Sequence, residues 1–308
     1  MALVRTHVWL LNMGGPDSLD TIRPFLRELL ADPKIMKMPW WLAWWFQPIF
    51  ALLISIKRAR EVRASYASMG GASPQLEIVR AQAQALQVEL GQAFEVTPVF
   101  RYWGEGAAEA AAKLAPQDRV VLLSLYPQDS DTTVGSSLED ARKHLDDRPV
   151  IEIRAYPDFE PYIRALVEGI GEVEGTLVFS AHGLPVSYIE AGDPYLDHIK
   201  RTVSAVMEHY EGTPHVLCFQ SRVGVQEWLE PSTMETLRRL AGPVTIVPIA
   251  FTSDHIETIV EIGEELREVA IEAGIRDYRR VDALNTSPAF ISALAKLVRQ
   301  NVDESTTS

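Results

Sequence analysis

The chain has 308 residues, 47% of them hydrophobic and 23% charged, so it can bury a substantial core and fill two domains of about 150 residues each. Its 29 basic and 42 acidic residues leave a net charge of −13, which argues against nucleic acid as the main partner, because phosphate binding needs positive charge. The single cysteine, Cys218, can make neither an internal disulfide nor a cysteine-ligated iron–sulfur cluster, and such usage suits a reducing, cytoplasmic compartment.

The first apolar run, Val4–Met13, reads as a strand that ends in Asn12-Met13-Gly14-Gly15-Pro16 and lacks the pattern of a signal peptide. A helix is expected over Ser18–Ala31. The next segment is unusual: four of the seven tryptophans lie within Trp40-Trp41-Leu42-Ala43-Trp44-Trp45, and no charge occurs between Lys37 and Lys57. Nineteen uncharged residues would span about 28 Å as a helix, close to the hydrocarbon thickness of a bilayer. A crossing would strand Val4–Met13 on the far side from its partner strands, and Pro48 would interrupt the helix. A monotopic lip over residues 36–63 is therefore expected, touching the membrane through Trp40–Ile56. Lys57, Arg58, Arg60 and Arg63 follow, suited to anionic headgroups or to the carboxylates of a ligand.

Beyond the lip, helical patterns at Pro74–Gln92, Glu105–Leu114, Ser137–Leu145, Pro161–Gly171, Tyr195–Tyr210, Pro231–Leu240, His255–Ala273 and Pro288–Asn301 alternate with apolar runs. The runs lie at Glu95–Tyr102, Arg119–Leu125, Val150–Arg154, Thr176–Ala181, Pro214–Gln220, Val244–Ala250 and Arg279–Ala283, and Asp303–Ser308 reads as a frayed tail. Strands apolar on both faces imply parallel sheets covered by helices on both sides, hence an α/β protein. Eight strands divide into two doubly wound sets of four at Arg154–Glu160. The expected domains are 1–155, 156–287, and a C-terminal helix with tail at 288–308.

Ligands of such sheets sit at the carboxyl ends of the strands. There Arg101-Tyr102-Trp103 offers a planar cation and flat rings. His182 is presented at a strand end with Gly183 and Pro185 behind it, placed for a ligand or a proton acceptor as well as for a structural bond to a carbonyl. Asp254, His255 and Glu257 end another strand, and Glu257, Glu261, Glu264 and Glu268 recur at helical spacing on one acidic face, where Glu264 and Glu268, with the adjacent Glu265, read as solvated and Glu257 as a site residue. One histidine with one or two carboxylates suits a weak, open divalent-metal site. No activated nucleophile, Walker sequence or GxGxxG loop is present.

These blocks together resemble the ferrochelatase family. The resemblance rests on Leu11-Asn12-Met13-Gly14-Gly15-Pro16, Tyr66 with Gly70-Gly71-Ala72-Ser73-Pro74, Arg101-Tyr102-Trp103, Tyr126-Pro127-Gln128 and Gly135-Ser136-Ser137. It continues in Phe179-Ser180-Ala181-His182-Gly183-Leu184-Pro185, Gly192-Asp193-Pro194-Tyr195, Gln220-Ser221-Arg222-Val223-Gly224 and Phe251-Thr252-Ser253-Asp254-His255-Ile256-Glu257-Thr258. It implies two similar doubly wound domains with a porphyrin in the cleft between them, and insertion of Fe²⁺ into protoporphyrin IX with release of two protons.

By the same resemblance His182 and Glu257 are the metal pair and His182 the acceptor of pyrrole protons, with Asp254, His255 and Glu261 assisting. Met13, Arg101, Tyr102 and Tyr126 would line the macrocycle, while Arg58, Tyr66, Ser73 and Ser221 would meet the propionates. Iron is then a substrate, no cofactor is needed, and the protein is expected in the cytoplasm at the inner face of the membrane. The chain departs from the family's usual pattern at Asp129, Val225, Gly263 and Leu266, which touches the wall near Asp129 and the outer part of the acidic helix. A related chelatase acting on coproporphyrin and a non-catalytic porphyrin carrier are the competing readings, and retention of both His182 and Glu257 weighs against the carrier.

Overall fold

The computed structural model describes residues 5–36, 40–222 and 226–307, leaving aside the side chains of residues 40–45, 306 and 307. Two four-stranded parallel sheets form the frame. In the first, β1 (Thr6–Gly14) lies between β2 (Phe94–Trp103) and β3 (Arg119–Ser124), with β4 (Val150–Ile153) beyond β3. In the second, β5 (Thr176–His182) lies between β6 (His215–Gln220) and β7 (Val244–Pro248), with β8 (Tyr278–Arg280) beyond β7. Each sheet thus repeats one order: its first strand is central, the second flanks it on one side, and the third and fourth follow on the other.

The central strands are buried on both faces, which is why their sequences are continuous apolar runs and do not alternate. Val8, Trp9 and Leu10 are fully buried in the first sheet, as are Leu177, Val178 and Phe179 in the second. The covering helices are α1 (Ile22–Ala31), α2 (Trp40–Ser68), α3 (Gln75–Leu90), α4 (Ala107–Ala111), α5 (Ser136–Arg142), α6 (Glu160–Ile170), α7 (Val186–Glu190), α8 (Tyr195–Met207), α9 (Thr233–Leu237), α10 (Leu266–Glu272) and α11 (Pro288–Thr307). Packing groups the chain through Leu125 with Ser130–Arg154 and the end from Ala295, and groups Tyr126–Asp129 with Ala155–Leu294.

Three expectations about the helices are corrected. Pro48 does not interrupt the lip: α2 runs for 29 residues with Pro48 inside it. A proline costs a helix about 3 kcal/mol in its interior, and the neighbouring buried Gln47 offsets part of this by donating from Nε2 to the Ala31 carbonyl at 3.0 Å, tying α2 to the end of α1. Among the described residues no helix is long and apolar enough to cross a membrane. The tail is not frayed either, since α11 continues to Thr307. Arg299 anchors that helix through the Glu89 carbonyl at 2.6 Å.

The long acidic helix is also not α-helical from its start. Residues Glu257–Glu265 form a π-helical segment, which passes into α10. A shorter π-helical turn, Asp131–Gly135, opens α5.

Candidate active site

Side chains two apart on a strand share a face, so Ser180 and His182 project together from β5. The parallel register sets His182 opposite Gln220 at the end of β6. The two strand ends approach closely: the Gly183 amide donates to the Gln220 carbonyl at 2.9 Å, and a Cβ at position 183 would lie 2.8 Å from that oxygen. Tyr195, at the start of α8, fixes the His182 backbone by donating its hydroxyl to the His182 carbonyl at 2.9 Å. From the loop after β7, Glu257 brings Oε2 to 2.8 Å from Nδ1 of His182.

Nδ1 donating to a carboxylate leaves the neutral imidazole with its lone pair on Nε2. Among the described residues Nε2 has no hydrogen-bond partner. The His182 side chain is 39% exposed and that of Glu257 27%, so the pair is open to solvent and to a ligand. Burial disfavours the imidazolium, but the charge and hydrogen bond of Glu257 outweigh it and raise the His182 pKa above its ordinary value. Burial likewise opposes ionisation of Glu257, yet His182 beside it holds that carboxyl down at about 2.

Glu261 lies one wider π-turn further along. Ser221, which follows β6 with a left-handed φ of 63°, donates its amide to Glu261 Oε1 at 2.9 Å and its hydroxyl to Glu261 Oε2 at 2.5 Å. The same hydroxyl lies 3.3 Å from Glu257 Oε2. Burial and the Glu257 charge push the Glu261 pKa up. His182, Glu257, Glu261 and Ser221 thus make one hydrogen-bonded group, and it is here, against carboxylates, that the structure puts Ser221. Among the described residues no three His, Cys, Asp or Glu side chains are grouped to hold a metal ion.

The other acidic residues behave differently. Glu264, Glu265 and Glu268 are exposed, so the expected single stripe splits after Glu261. Asp254 is buried and fully engaged, accepting from Thr258 Oγ1 at 2.7 Å, Arg280 Nη1 at 2.8 Å and Asn285 Nδ2 at 2.7 Å. Burial would raise its pKa, but these donors lower it below the ordinary value. His255 is buried edge-on to Phe251, with Nδ1 3.2 Å from the Ser253 carbonyl, and burial lowers its pKa. Neither residue bonds directly to the His182 group. Of the departures, Gly263 faces Arg280, whose Cδ would lie 3.4 Å from an added Cβ, and Leu266 is buried in a core with Val178, Cys218 and Ile246. Both therefore adjoin structural contacts on the helix's inner side. Val225 lies outside the described residues.

At the carboxyl ends of the first sheet, β1 carries Met13 just before its last residue and closes at Gly14 (φ 79°), where a Cβ would stand 1.9 Å from the Trp103 carbonyl oxygen. Gly15 packs on Ser73, and the Ser73 amide donates to the Pro16 carbonyl at 2.7 Å. Met13, Ser73 and Arg101–Tyr102 are so gathered at one end of the sheet. Tyr102 is buried beneath Arg101, whose guanidinium carbon lies 4.9 Å from the ring centroid. Both reach the buried carboxylate of Asp32, Tyr102 Oη at 2.8 Å and Arg101 Nη2 at 3.1 Å. Ser136 completes this cluster through its own bond to Asp32. Tyr66 is buried near the end of α2, and Arg58 on the same helix pairs with Glu61 at 3.1 Å. Tyr126 follows β3 and is half-buried.

The model of the Ferrochelatase family matches residues 5–302. The chain belongs to the ferrochelatase family. Relatives named ferrochelatase include one from Geobacter metallireducens, 43% identical over 96% of this chain and 98% of its own length. Another from Aquifex aeolicus is 40% identical over 97% of this chain and all of its own, and one from Synechocystis is 40% identical over 97% and 83%. Among solved structures, SirB from Bacillus subtilis with Fe³⁺ overlays this ferrochelatase-family chain with a TM-score of 0.58 at 11% identity, covering 99% of this chain and 98% of that one. CbiX, titled the terminal enzyme of sirohaem biosynthesis in denitrifying bacteria, does so at 0.50 and 11%, covering 96% and 98%. At such identities the likeness is one of fold, the chelatase-like pair of parallel sheets.

The candidate residues chosen from sequence omit several that build the site: Ser180, Gln220, Tyr195, Arg280, Asn285 and Asp32. Strand period would have pointed to Ser180, two residues before His182, and Gln220 ends a strand. Nothing local marks the part Asp32 and Arg280 play, because the partners that tie them to this site, Arg101 and Asp254, lie 69 and 26 residues away.

Proposed function

We propose that the protein inserts Fe²⁺ into protoporphyrin IX to form protohaem with release of two protons, and that His182 and Glu257 are the pair where metal and protons meet. The observation that carries this reading is the 2.8 Å contact that orients the imidazole and leaves Nε2 available. A metal ion enters a planar porphyrin only after two pyrrole N–H protons leave and the ring buckles to expose a nitrogen lone pair. The reaction therefore needs a base, a weak metal donor and a shaped wall, and no nucleophile.

Neutral His182 accepts the two pyrrole protons in turn at Nε2 and releases each to solvent from its exposed edge, while Glu257 stabilises the imidazolium that forms each time. The carboxylates of Glu257 and Glu261 attract the divalent cation, with Ser221 holding them in register. Asp254 and His255 support this group from the buried side of the loop. Met13, Arg101, Tyr102 and Tyr126 line the macrocycle. The bonds that Arg101 and Tyr102 donate to Asp32 make Arg101 a fixed cation and Tyr102 its support. Arg58, Tyr66 and Ser73 serve the propionates, whereas the bonds of Ser221 to Glu257 and Glu261 suit it better to the carboxylate pair. Iron is the substrate, and the reaction calls for no resident cofactor.

The lip reading rests on α2. Phe46, Ile49, Phe50 and Leu53 are 55%, 57%, 44% and 60% exposed and recur at one-turn spacing, so they form an apolar stripe, with Lys57, Arg58, Arg60 and Arg63 following. Such a stripe lying flat on the cytoplasmic face of a membrane would meet an apolar porphyrin where it dissolves. The tryptophans of residues 40–45 lie outside the described side chains. Anaerobic incubation with Fe²⁺ and, side by side, protoporphyrin IX or coproporphyrin tests the function. Loss of porphyrin fluorescence is expected with the former, and preference for the latter would transfer the assignment to a coproporphyrin chelatase.

A further inference from the structure

Beneath the His182 group runs a chain of polar side chains with no assigned role. Thr233 at the start of α9, Ser180 on β5 and Gln220 at the end of β6 are all buried. Ser180 Oγ lies 2.9 Å from Thr233 Oγ1 and donates to Gln220 Oε1 at 2.7 Å. The Gln220 amide then donates from Nε2 to Glu261 Oε2 at 3.1 Å and to the Glu257 carbonyl at 3.4 Å.

Proton counting gives this chain one direction. Each hydroxyl has a single hydrogen and the amide has two. If Ser180 gives its hydrogen to Gln220, Thr233 must supply the bond to Ser180, and both amide hydrogens are left for the π-helical segment. Every group is then satisfied, and the chain ends on a carboxylate. A satisfied buried chain of this kind is rigid, while a half-satisfied one is costly, so it tolerates few alternative arrangements.

Its last member touches the π-helical segment twice, at the backbone of Glu257 and the side chain of Glu261. Only an amide fits: it must accept from Ser180 on one side and donate twice on the other. A glutamate here would set a carboxylate against Glu261, and an apolar residue would leave Ser180 and Glu261 short of a partner.

We propose that Gln220 is a positioning residue for Glu261, and through it for the cation side of the site, held in place by the buried chain from Thr233 and Ser180. This rests on the metal-insertion reading for its catalytic consequence, but the positioning itself concerns cation binding and can be measured without turnover. Groups that orient metal-binding side chains typically change affinity or activity by roughly 10–100-fold when removed.

The test uses the full chain and its Gln220→Leu, Gln220→Glu and Ser180→Ala variants, first with Co²⁺ alone, read by its visible spectrum. Gln220→Leu is expected to bind Co²⁺ about tenfold or more weakly than the wild type, with Ser180→Ala changed in the same direction but less. Equal affinity in the wild type and Gln220→Leu, or no Co²⁺ binding by the wild type, overturns the proposal. The second arm follows Zn²⁺ insertion into protoporphyrin IX. Gln220→Leu should raise the KM for Zn²⁺ about tenfold while leaving the porphyrin KM within about twofold. A loss that instead lowers turnover for both substrates in step with thermal stability would mark Gln220 as merely structural and overturn it. If the wild type inserts no metal, the functional reading fails, and the Co²⁺ comparison still decides the positioning.

Discussion

His182 and Glu257, 75 residues apart in the chain, meet through Nδ1 and Oε2 at 2.8 Å. Because the carboxylate raises the imidazole's pKa above its ordinary 6.5, His182 must lose a proton at a higher pH before it can accept one from a pyrrole. Wild-type kcat/KM for Zn²⁺ insertion is therefore expected to fall as pH drops through a value above 6.5. Glu257→Gln removes the charge that holds the imidazolium, so its acid limb shifts to lower pH, and its best rate falls by about 10²-fold or more. A pH–rate profile of both proteins checks the direction.

Glu264 and Glu268 are exposed and stand apart from the His182 group. Glu264→Gln and Glu268→Gln should keep the wild-type insertion rate and change stability by no more than about 0.5 kcal/mol. Glu261→Gln, in contrast, should raise the KM for the metal. Steady-state kinetics with Zn²⁺ as the varied substrate separate the three.

Asp32 accepts from Tyr102, Arg101, Ser136 and the Lys34 amide. Burial opposes its charge, but these donors lower its pKa below 3.8. A depressed carboxyl adds stability at pH values above its unfolded pKa of about 3.9, and that contribution is lost as pH falls through the folded value. Asp32→Asn should cost about 2–4 kcal/mol near neutrality. The gap to the wild type should narrow below about pH 4 in urea titrations at a series of pH values.

Gly14 occupies a left-handed φ and would place a Cβ 1.9 Å from the Trp103 carbonyl oxygen. Gly14→Ala has no room without moving the end of β2, on which Arg101 and Tyr102 sit. A fall in thermal midpoint well beyond that of Gly70→Ala is expected, since Gly70, with a similar φ of 95°, has open space around its Cα.

If the α2 stripe rests on a membrane, replacing Phe46, Ile49 and Leu53 together by serine should abolish co-sedimentation with vesicles of anionic phospholipid while leaving insertion into detergent-solubilised porphyrin intact. Retention of full vesicle binding would remove the lip from the account.

Seven of the eight strands are legible because each holds an apolar run bounded by helical periodicity, and His7–Leu11 or Leu177–Phe179 admit few other readings; β8 has no such run, and it spans Tyr278–Arg280 where Arg279–Ala283 is expected. The family blocks single out His182 and Glu257 too, and the structure sets the two side chains 2.8 Å apart. The π-helical segment was not, because a change from i+4 to i+5 bonding leaves no mark on residue types. Glu264, Glu265 and Glu268, whose spacing reads as a solvated acidic face, are exposed in agreement with that reading. Asp254 was ambiguous for another reason. A carboxylate at a strand end can serve a ligand or its own chain, and the placement of Arg280, Asn285 and Thr258 around Asp254 gives it structural partners. Pro48 reads from sequence as a helix breaker because its cost is intrinsic to the helix, while the Gln47–Ala31 bond that helps offset it is tertiary.

The role proposed for the His182–Glu257 pair is metal insertion. Its most direct test is the initial rate of protohaem formation from Fe²⁺ and protoporphyrin IX by wild type, His182→Ala and Glu257→Ala at equal concentrations of folded protein. The wild type should turn over, and each variant should lose about 10²-fold or more of its kcat/KM. Variants as fast as the wild type, or a wild type that leaves protoporphyrin IX metal-free, would contradict it.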